Sequence, residues 1–215
     1  MIRVIPGEKR KQYWREIDEM HRLRKRVFHE RMKWQVPIIR HYEIDGYDAL
    51  DPVYLASIAP SGKVIGSVRL LPTIGPNMLN DEFPQLLPNG ERIESPLIWE
   101  CSRFSADLDA DSQIGPKGIS RVTAELSLAM NEFGMRLGLS HMVTVYDAFM
   151  HRLLKRAGCA GEPIGPPIRI GSVLAYAVTV TIGTETENAF RDASGIAGSV
   201  LEDSDTTTDL FKHAA

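Results

Sequence analysis

Apolar side chains recur along the chain with two periods, and each period predicts its own kind of element. A spacing of three and four residues runs over residues 17–27 in a strongly charged background, which predicts an amphipathic helix. The same spacing returns over residues 119–137 and 149–157. A glycine follows each of these two segments, and glycine commonly ends a helix.

Short runs rich in Val, Ile and Thr predict the strands. They cover residues 54–58, 64–71, 98–105, 141–146 and 173–182. The element order is therefore α, β, β, β, α, β, α, β. This order predicts a fold that contains both helices and strands, α/β in the broad sense and α+β in the narrow one, with a mixed, twisted sheet flanked by helices. A proline-rich loop over residues 72–96 is long for a compact domain, and loops of that length are usually functional.

The periodic pattern ends near residue 182. We expect one domain over residues 1–182, because a chain of 215 residues is long for one domain and short for two. Residues 183–215 are polar and weakly periodic. They predict a loosely attached C-terminal tail, with room for a short helix near Val200.

Composition narrows the class of protein. The net charge of -3 argues against a general nucleic-acid binder, and no apolar run approaches the ~20 residues of a membrane span. Cys101 and Cys159 lie in apolar company and fit neither a disulfide framework nor a metal site, which favours a cytoplasmic protein. The N-terminus lacks the apolar stretch of a signal peptide. The six histidines are scattered, so no metal site is predicted.

Several charged residues lie among apolar neighbours. Arg69 falls in VIGSVRLL, Glu100 and Arg103 fall in WECSRF, and Asp45 and Asp48 lie in an acidic loop. Burying a charge is costly unless it is paired or used. The aliphatic part of the Arg69 side chain could pack on the sheet while its guanidinium group reaches water. Glu100 and Arg103 could form a structural ion pair. Residues three apart in a regular strand point to opposite faces of the sheet. Glu100 and Arg103 can therefore serve the same site only if a β-bulge changes the direction of one side chain, or if they act from opposite sides.

The same residues carry a family resemblance. The segments HRLRKRVF, YEIDGYD, GSVRLLPTIGPNML and WECSRF resemble the acyl-homoserine-lactone synthases, the autoinducer synthases of bacterial quorum sensing. The likeness covers about residues 15–180 and implies a GNAT-like N-acyltransferase fold. The residues that match the family pattern, in order, are Arg24, Phe28, Trp34, Asp45, Asp48, Arg69, Phe83, Glu100 and Arg103.

The resemblance implies two substrates, S-adenosylmethionine and an acyl thioester, and no tightly bound cofactor. The amine of S-adenosylmethionine attacks the thioester carbonyl, and its carboxylate then closes the lactone and expels 5′-methylthioadenosine. Glu100 is the implied base, and Arg103 orients it or supports the thioester oxygen. The implied S-adenosylmethionine-binding residues are Arg24, Phe28, Trp34, Asp45, Asp48 and Arg69. For the two aromatic residues, simple packing stays an alternative.

The acyl donor is implied to be acyl carrier protein or coenzyme A. The lining of an acyl pocket is expected at Met78, Phe83, Met142, Thr144, Tyr146 and Leu153, each of which is equally an ordinary core residue. Family members that make 3-oxo signals tend to carry threonine where Tyr146 stands, which disfavours a 3-oxo product here. A basic surface suits an acidic carrier, with a solvated helix face as the alternative; its candidates are Lys117, Arg121, Arg152, Lys155 and Arg156. The run QIGPKG departs from the diphosphate loop of coenzyme A users, which favours the carrier.

Two other functions stay open on the sequence. One is a GNAT-like N-acyltransferase that uses acyl-CoA on another small amine, which would need neither Asp45, Asp48 nor Trp34. The other is a non-catalytic ligand-binding module, against which Glu100 and Arg103 both argue.

Overall fold

The computed structural model describes residues 1–110 and 113–203, and one mixed sheet forms its centre. The strands are β1 (Ile2–Ile5), β2 (Ile38–Ile39), β3 (Tyr42–Glu43), β4 (Val53–Ile58), β5 (Val64–Pro72), β6 (Ile98–Ala106), β7 (His141–Asp147), β8 (Glu162–Pro163), β9 (Ile168–Ile170) and β10 (Val173–Thr181). The sheet runs in the order β1-β4-β5-β6-β7-β10-β8, β9 pairs with β10, and β2 and β3 form a separate ribbon. Strands β6 and β7 are parallel, and the other neighbours in the sheet are antiparallel.

Helices cover both faces of the sheet. They are α1 (Trp14–Arg24), α2 (Met78–Asp81), α3 (Arg121–Arg136), α4 (Ala148–Ala157) and α5 (Thr184–Ser194), and α1 continues as a π-helical stretch, Lys25–Arg31. The residues of α3 pack with Val68 and Leu70 in one apolar cluster, whereas those of α1 pack with Tyr54 and Ala56 in another. Alternate residues of a strand face opposite sides, so α1 and α3 lie on opposite faces. No helix in the described part of the chain is long and apolar enough to cross a membrane.

The fold class predicted from the sequence is confirmed, and all eight predicted elements are present. Strand β1 was missed, because four residues carry too little periodicity to predict an element. The main error concerns the C-terminal segment.

Residues 183–203 are not a loosely attached tail. Helix α5 packs on α3 and buries Phe190 and Ala193, and Leu201 forms a parallel bridge with Ile2. Val200 is buried and lies outside any helix. This packing escapes a periodicity argument, because few positions of α5 are apolar and its partner surface comes from distant parts of the chain. The rest of the predicted tail, 204–215, lies outside the described residues.

The two parallel strands separate towards their carboxyl ends. β6 pairs with β7 from Ile98 to Cys101. Beyond Cys101, β6 continues along β5 as far as Ala106, and β7 continues along β10 as far as Asp147. The carboxyl ends of parallel strands are the usual place for ligands in such sheets, and Glu100 lies at the start of this opening.

Candidate active site

A buried cluster of arginines and acids lies on the face of the sheet that α1 covers. Arg24 donates to both carboxylate oxygens of Asp48, at 2.8 and 2.9 Å, and from Nε to Glu43 at 2.5 Å. Arg69 donates to Asp45 at 2.5 and 3.1 Å and to Asp48 at 3.0 Å. Arg24, Arg69 and Glu43 are at most 1 % exposed, so α1, β3, β5 and the acidic loop meet in one ionic network.

The spacing of the two aspartates follows from a helix cap. Asp45 is the N-cap of a short 3₁₀ turn, Gly46–Ala49, and its Oδ1 accepts from the backbone of Tyr47 at 2.9 Å. Asp48 Oδ2 in return accepts from the backbone N–H of Asp45 at 2.9 Å, which is the reciprocal arrangement of a capping box. The D-x-x-D pattern therefore folds its own loop and presents both carboxylates to the arginines.

Arg103 joins the network through a β-bulge. Ser67 pairs with Ser105 and Arg69 pairs with Ser102, so Arg103 and Phe104 together face one residue of β5. Arg103 has a φ of 54°, in the left-handed region that a non-glycine residue seldom adopts. Its side chain turns to the α1 face, and the bulge required by the sequence argument is present.

The guanidinium of Arg103 bridges two acids. Its Nε donates to Glu43 at 3.0 Å, and its Nη2 lies 2.7 Å from Asp45. It also lies 5.8 Å from the ring centroid of Phe28. Arg103 therefore does not pair with Glu100, and the simple ion pair between these two residues is wrong.

The charges of the cluster balance, with three guanidinium groups against three carboxylates. Burial alone would raise the pKa of Asp48, but the hydrogen bonds and charge of Arg24 and the charge of Arg69 hold that pKa well below its usual range. The phenol of Tyr54 donates to Asp48 at 2.7 Å. Burial and the charge of Asp48 raise the pKa of Tyr54, so this donor keeps its proton.

Glu100 stands apart from this balanced network. It is 2 % exposed, its Oε1 accepts from the backbone N–H of Leu79 at 2.6 Å, and its Oε2 has no hydrogen-bond partner among the described residues. Burial raises the pKa of Glu100, against weaker opposing effects of the backbone N–H groups of Leu79 and Met78, the charge of Arg69 and the hydroxyl of Ser102. A buried carboxyl with a raised pKa and a free oxygen is suited to accept a proton.

Two aromatic rings form one wall of the cluster. Phe28 and Trp34 are stacked, with centroids 5.6 Å apart and planes inclined by 8°. Phe28 is buried and Trp34 is half-buried, and the backbone of Trp34 donates to Phe28 at 2.9 Å. The π-helical stretch that carries Phe28 is a form often found at functional sites.

The expected acyl-pocket residues do not form one lining. Phe83 packs in the apolar cluster of Leu79 and Val143, and the sulfur of Met78 contacts the arginines Arg69 and Arg103. The others are separated from these two by the sheet, because strand alternation turns Met142, Thr144 and Tyr146 away from Val143, and Leu153 packs with Met142 in the core beside α3.

The expected docking residues form an exposed basic edge only in part. Lys117, Arg152, Lys155 and Arg156 are exposed, and Arg156 Nη2 reaches the loop at Gly118, 3.1 Å from the position a Cβ would take there. Arg121 is exposed as well, but its Nε is paired with Glu125 at 2.9 Å.

Glu43 and Tyr54 belong to the network but are not among the residues predicted from the sequence. For Glu43, the numbers of positive and negative residues predicted for the site indicate a missing acid. Arg24, Arg69 and Arg103 outnumber Asp45 and Asp48 by one, so a buried network required another acid. Glu43 stands two residues before Asp45. The described residues contain no group of three or more side chains that could hold a metal ion.

Known proteins resemble this chain in sequence over most of its length. The family model for autoinducer synthases matches residues 8–190. Acyl-homoserine-lactone synthases of Pseudomonas aeruginosa and Agrobacterium fabrum are each 38 % identical to the chain, over 175 and 176 residues. These alignments cover 80 and 82 % of this chain and 86 and 83 % of the relatives.

Solved structures show the same similarity. BjaI, described as a CoA-dependent acyl-homoserine lactone synthase with S-adenosylmethionine and isopentyl-CoA, superposes with a TM-score of 0.84 at 27 % identity, covering 100 % of this chain and 98 % of that one. The acyl-homoserine-lactone synthase LasI superposes with a TM-score of 0.77 at 34 % identity, covering 92 and 98 %. The chain therefore belongs to the autoinducer synthase family, the acyl-homoserine-lactone synthases.

Proposed function

We propose that the protein makes an N-acyl-L-homoserine lactone from S-adenosylmethionine and an acyl thioester. The observation that carries the assignment of the site is the buried Oε2 of Glu100, which has no hydrogen-bond partner among the described residues and lies within the influence of the ion-paired Arg69. Family membership supports the proposed reaction. The charge-balanced network of arginines and acids supports the position of the active site on this face of the sheet.

Acylation begins with loss of a proton from the substrate amine. The ammonium group cannot attack until it is deprotonated, and Glu100 Oε2 accepts that proton directly or through one water. The free amine then attacks the thioester carbonyl, and the thiol of the donor leaves. Because burial raises the pKa of Glu100, its carboxylate is a stronger base than an exposed one.

Lactone closure needs no second base. The carboxylate of the acylated substrate attacks the γ-carbon, the bond from that carbon to sulfur breaks, and the sulfonium leaves as the neutral thioether 5′-methylthioadenosine. Positive charge disappears from sulfur in this step. An unpaired carboxylate near the sulfur would stabilise the positive sulfonium of the ground state more than the transition state. A site whose carboxylates are mostly paired with arginines therefore suits lactone closure.

The arginines divide into a structural one and two that face the substrate. Arg24 is bound by Glu43 and Asp48 and is 1 % exposed, which supports a role in tying down the acidic loop. Arg69 and Arg103 each direct an N–H towards α2, and we assign them to the substrate carboxylate. The stacked rings of Phe28 and Trp34 are assigned to the adenosine or sulfonium side.

The donor is an acyl carrier protein or coenzyme A. Similarity to a CoA-dependent synthase supports the second, and the exposed basic edge at Lys117, Arg152, Lys155 and Arg156 supports the first. The acyl chain enters the opening between β6 and β7. Two buried free cysteines and substrates made inside the cell support a cytoplasmic location.

The test compares Glu100→Gln with Glu94→Gln, an exposed glutamate that pairs with Arg92. Each purified protein receives S-adenosylmethionine with a panel of acyl carrier and acyl-CoA donors, and mass spectrometry identifies the lactone and 5′-methylthioadenosine. Loss of a general base lowers the rate by about 10²- to 10⁴-fold, so Glu100→Gln should lose most acylation while Glu94→Gln keeps it.

Stability provides the fold control for this test. Because the pKa of Glu100 is raised in the folded protein, the folded state binds this proton more tightly than the unfolded state. That contribution to stability is lost as the pH rises through the raised pKa. Glutamine carries no charge, so Glu100→Gln should melt at or above the wild-type temperature at neutral pH. Near-normal lactone formation by Glu100→Gln would remove its role as base, and absence of lactone with every donor in the wild type would refute the reaction itself.

A further inference from the structure

Met78 is an apolar residue whose sulfur faces two positive charges. Its Sδ accepts from Nη2 of Arg69 and from Nη1 of Arg103, at 3.1 Å each. The residue is 8 % exposed. A thioether is a weak acceptor, so two guanidinium groups converge on a poor partner.

The other polar contacts of these two guanidinium groups are to carboxylate or hydroxyl oxygens. Arg69 binds Asp45 through both Nη atoms and Ser102 through Nε. Arg103 binds Glu43 through Nε and approaches Asp45 through Nη2. The sulfur therefore marks the one place where both arginines point at an acceptor and no acid of the described chain fills it.

This place is next to the proposed base. Leu79, the residue after Met78, holds Oε1 of Glu100 through its backbone N–H. Arg69 lies opposite Ser102, two residues from Glu100 on the same sheet face, within reach of long side chains. An α-amino acid carries its amine and carboxylate on one carbon, so a carboxylate at the sulfur position brings the amine towards Glu100.

The backbone around Met78 is held by hydrogen bonds of its neighbours, whereas its own side chain is held only through the weak acceptor Sδ and apolar packing. Asn77 caps α2 by accepting from the backbone of Asn80 at 3.0 Å. The side chain of Asn80 exchanges two hydrogen bonds with the backbone of Ile93, at 2.9 and 3.0 Å. Methionine is unbranched and flexible, so the thioether can swing aside while Leu79 keeps its bond to Glu100.

Building on the proposed function, we infer that the thioether of Met78 holds the place of the substrate carboxylate between Arg69 and Arg103. The α-carboxylate of S-adenosylmethionine displaces the sulfur and accepts the same two N–H groups, now as charge-assisted hydrogen bonds. Met78 is thus a displaceable internal competitor that lowers affinity for the substrate and keeps the arginines aligned in its absence.

The test replaces the sulfur without changing the apolar volume much. Met78→Leu is compared with Met20→Leu, the same change at a methionine buried in the apolar cluster of α1. Calorimetry measures the dissociation constants of S-adenosylmethionine and of its decarboxylated analogue, which keeps the sulfonium, adenosine and amine. Met78→Leu should bind S-adenosylmethionine about three- to tenfold more tightly and the analogue unchanged, whereas Met20→Leu should change neither.

The outcomes separate this inference from the proposed function. Unchanged or weaker binding of S-adenosylmethionine by Met78→Leu, or equal tightening of both ligands, would overturn the inference while lactone synthesis by the wild type stands. A wild-type protein that binds S-adenosylmethionine neither alone nor with a donor would overturn both. Thermal melting of each variant shows whether the compared proteins are folded.

Discussion

Removing the charge of Asp48 should destabilise the protein strongly. Its carboxylate accepts five hydrogen bonds: two from Arg24, and one each from Arg69, Tyr54 and the backbone of Asp45. Asp48→Asn leaves three buried guanidinium groups against two carboxylates. The new amide N–H groups also face N–H and O–H donors that have then lost their acceptor. Breaking a buried ion pair in this way costs about 3–5 kcal/mol. For a protein of this size that corresponds to a melting temperature lower by about 6–20 °C.

Urea denaturation followed by circular dichroism measures the free energy of unfolding. The control is Asp18→Asn, whose carboxylate pairs with Arg22 on the surface and should cost under about 1 kcal/mol. The pKa of Asp48 is lowered in the folded protein, so its contribution is complete above the unfolded pKa and lost as the pH falls below it. The gap between wild type and Asp48→Asn should therefore shrink by about 1.4 kcal/mol per pH unit below about pH 4. A loss under about 1 kcal/mol at pH 7, or a gap that stays constant down to pH 3, would refute a buried ionic network.

Two further outcomes follow from the structure. The acylation rate should rise with pH through a midpoint above the ordinary carboxyl pKa of about 4.3, because only ionised Glu100 accepts a proton and burial raises its pKa; an identical pH profile in the residual rate of Glu100→Gln would contradict this. Glu132 accepts from the backbone of Val200 at 3.1 Å and from Ser199 at 2.7 Å. Glu132→Ala should thus lower the free energy of unfolding by about 1–3 kcal/mol, measured in urea, and a change in the KM for S-adenosylmethionine would speak against a purely structural role.

The sheet was predictable from the sequence because its strands alternate or run apolar over enough residues. Strands β5 and β6 were predicted to within a residue of their observed ends. The direction of Arg103 was not predictable, since one extra residue in a strand leaves no periodic trace. From the sequence alone, Glu100 and Arg103 share a site only if a bulge lies between them. The observed bulge turns Arg103 to the face of Glu100.

The candidate site was predictable as a set of residues but not as a set of contacts. The matched residues Arg24, Asp48 and Arg69 do lie together. Their partner Glu43 was missed, because a single acid in a short ribbon has no local signature. The acyl pocket was the weakest prediction, since apolar residues such as Met142 have the same pattern in a core and in a tunnel, and only the tertiary fold decides between them.

The bulge in β6 decides which face of the sheet two neighbouring side chains occupy. Phe104 packs in the core beside α3, while its neighbour Arg103 reaches the acids on the other side of the sheet. Without the bulge, a regular β6 continuing from Ser102 would place Arg103 opposite Val68 and Phe104 opposite Ser67, so the guanidinium would enter the apolar core and the phenyl ring would enter the ionic cluster. The extra residue therefore lets one strand place a ring in the core and the next side chain in the candidate site.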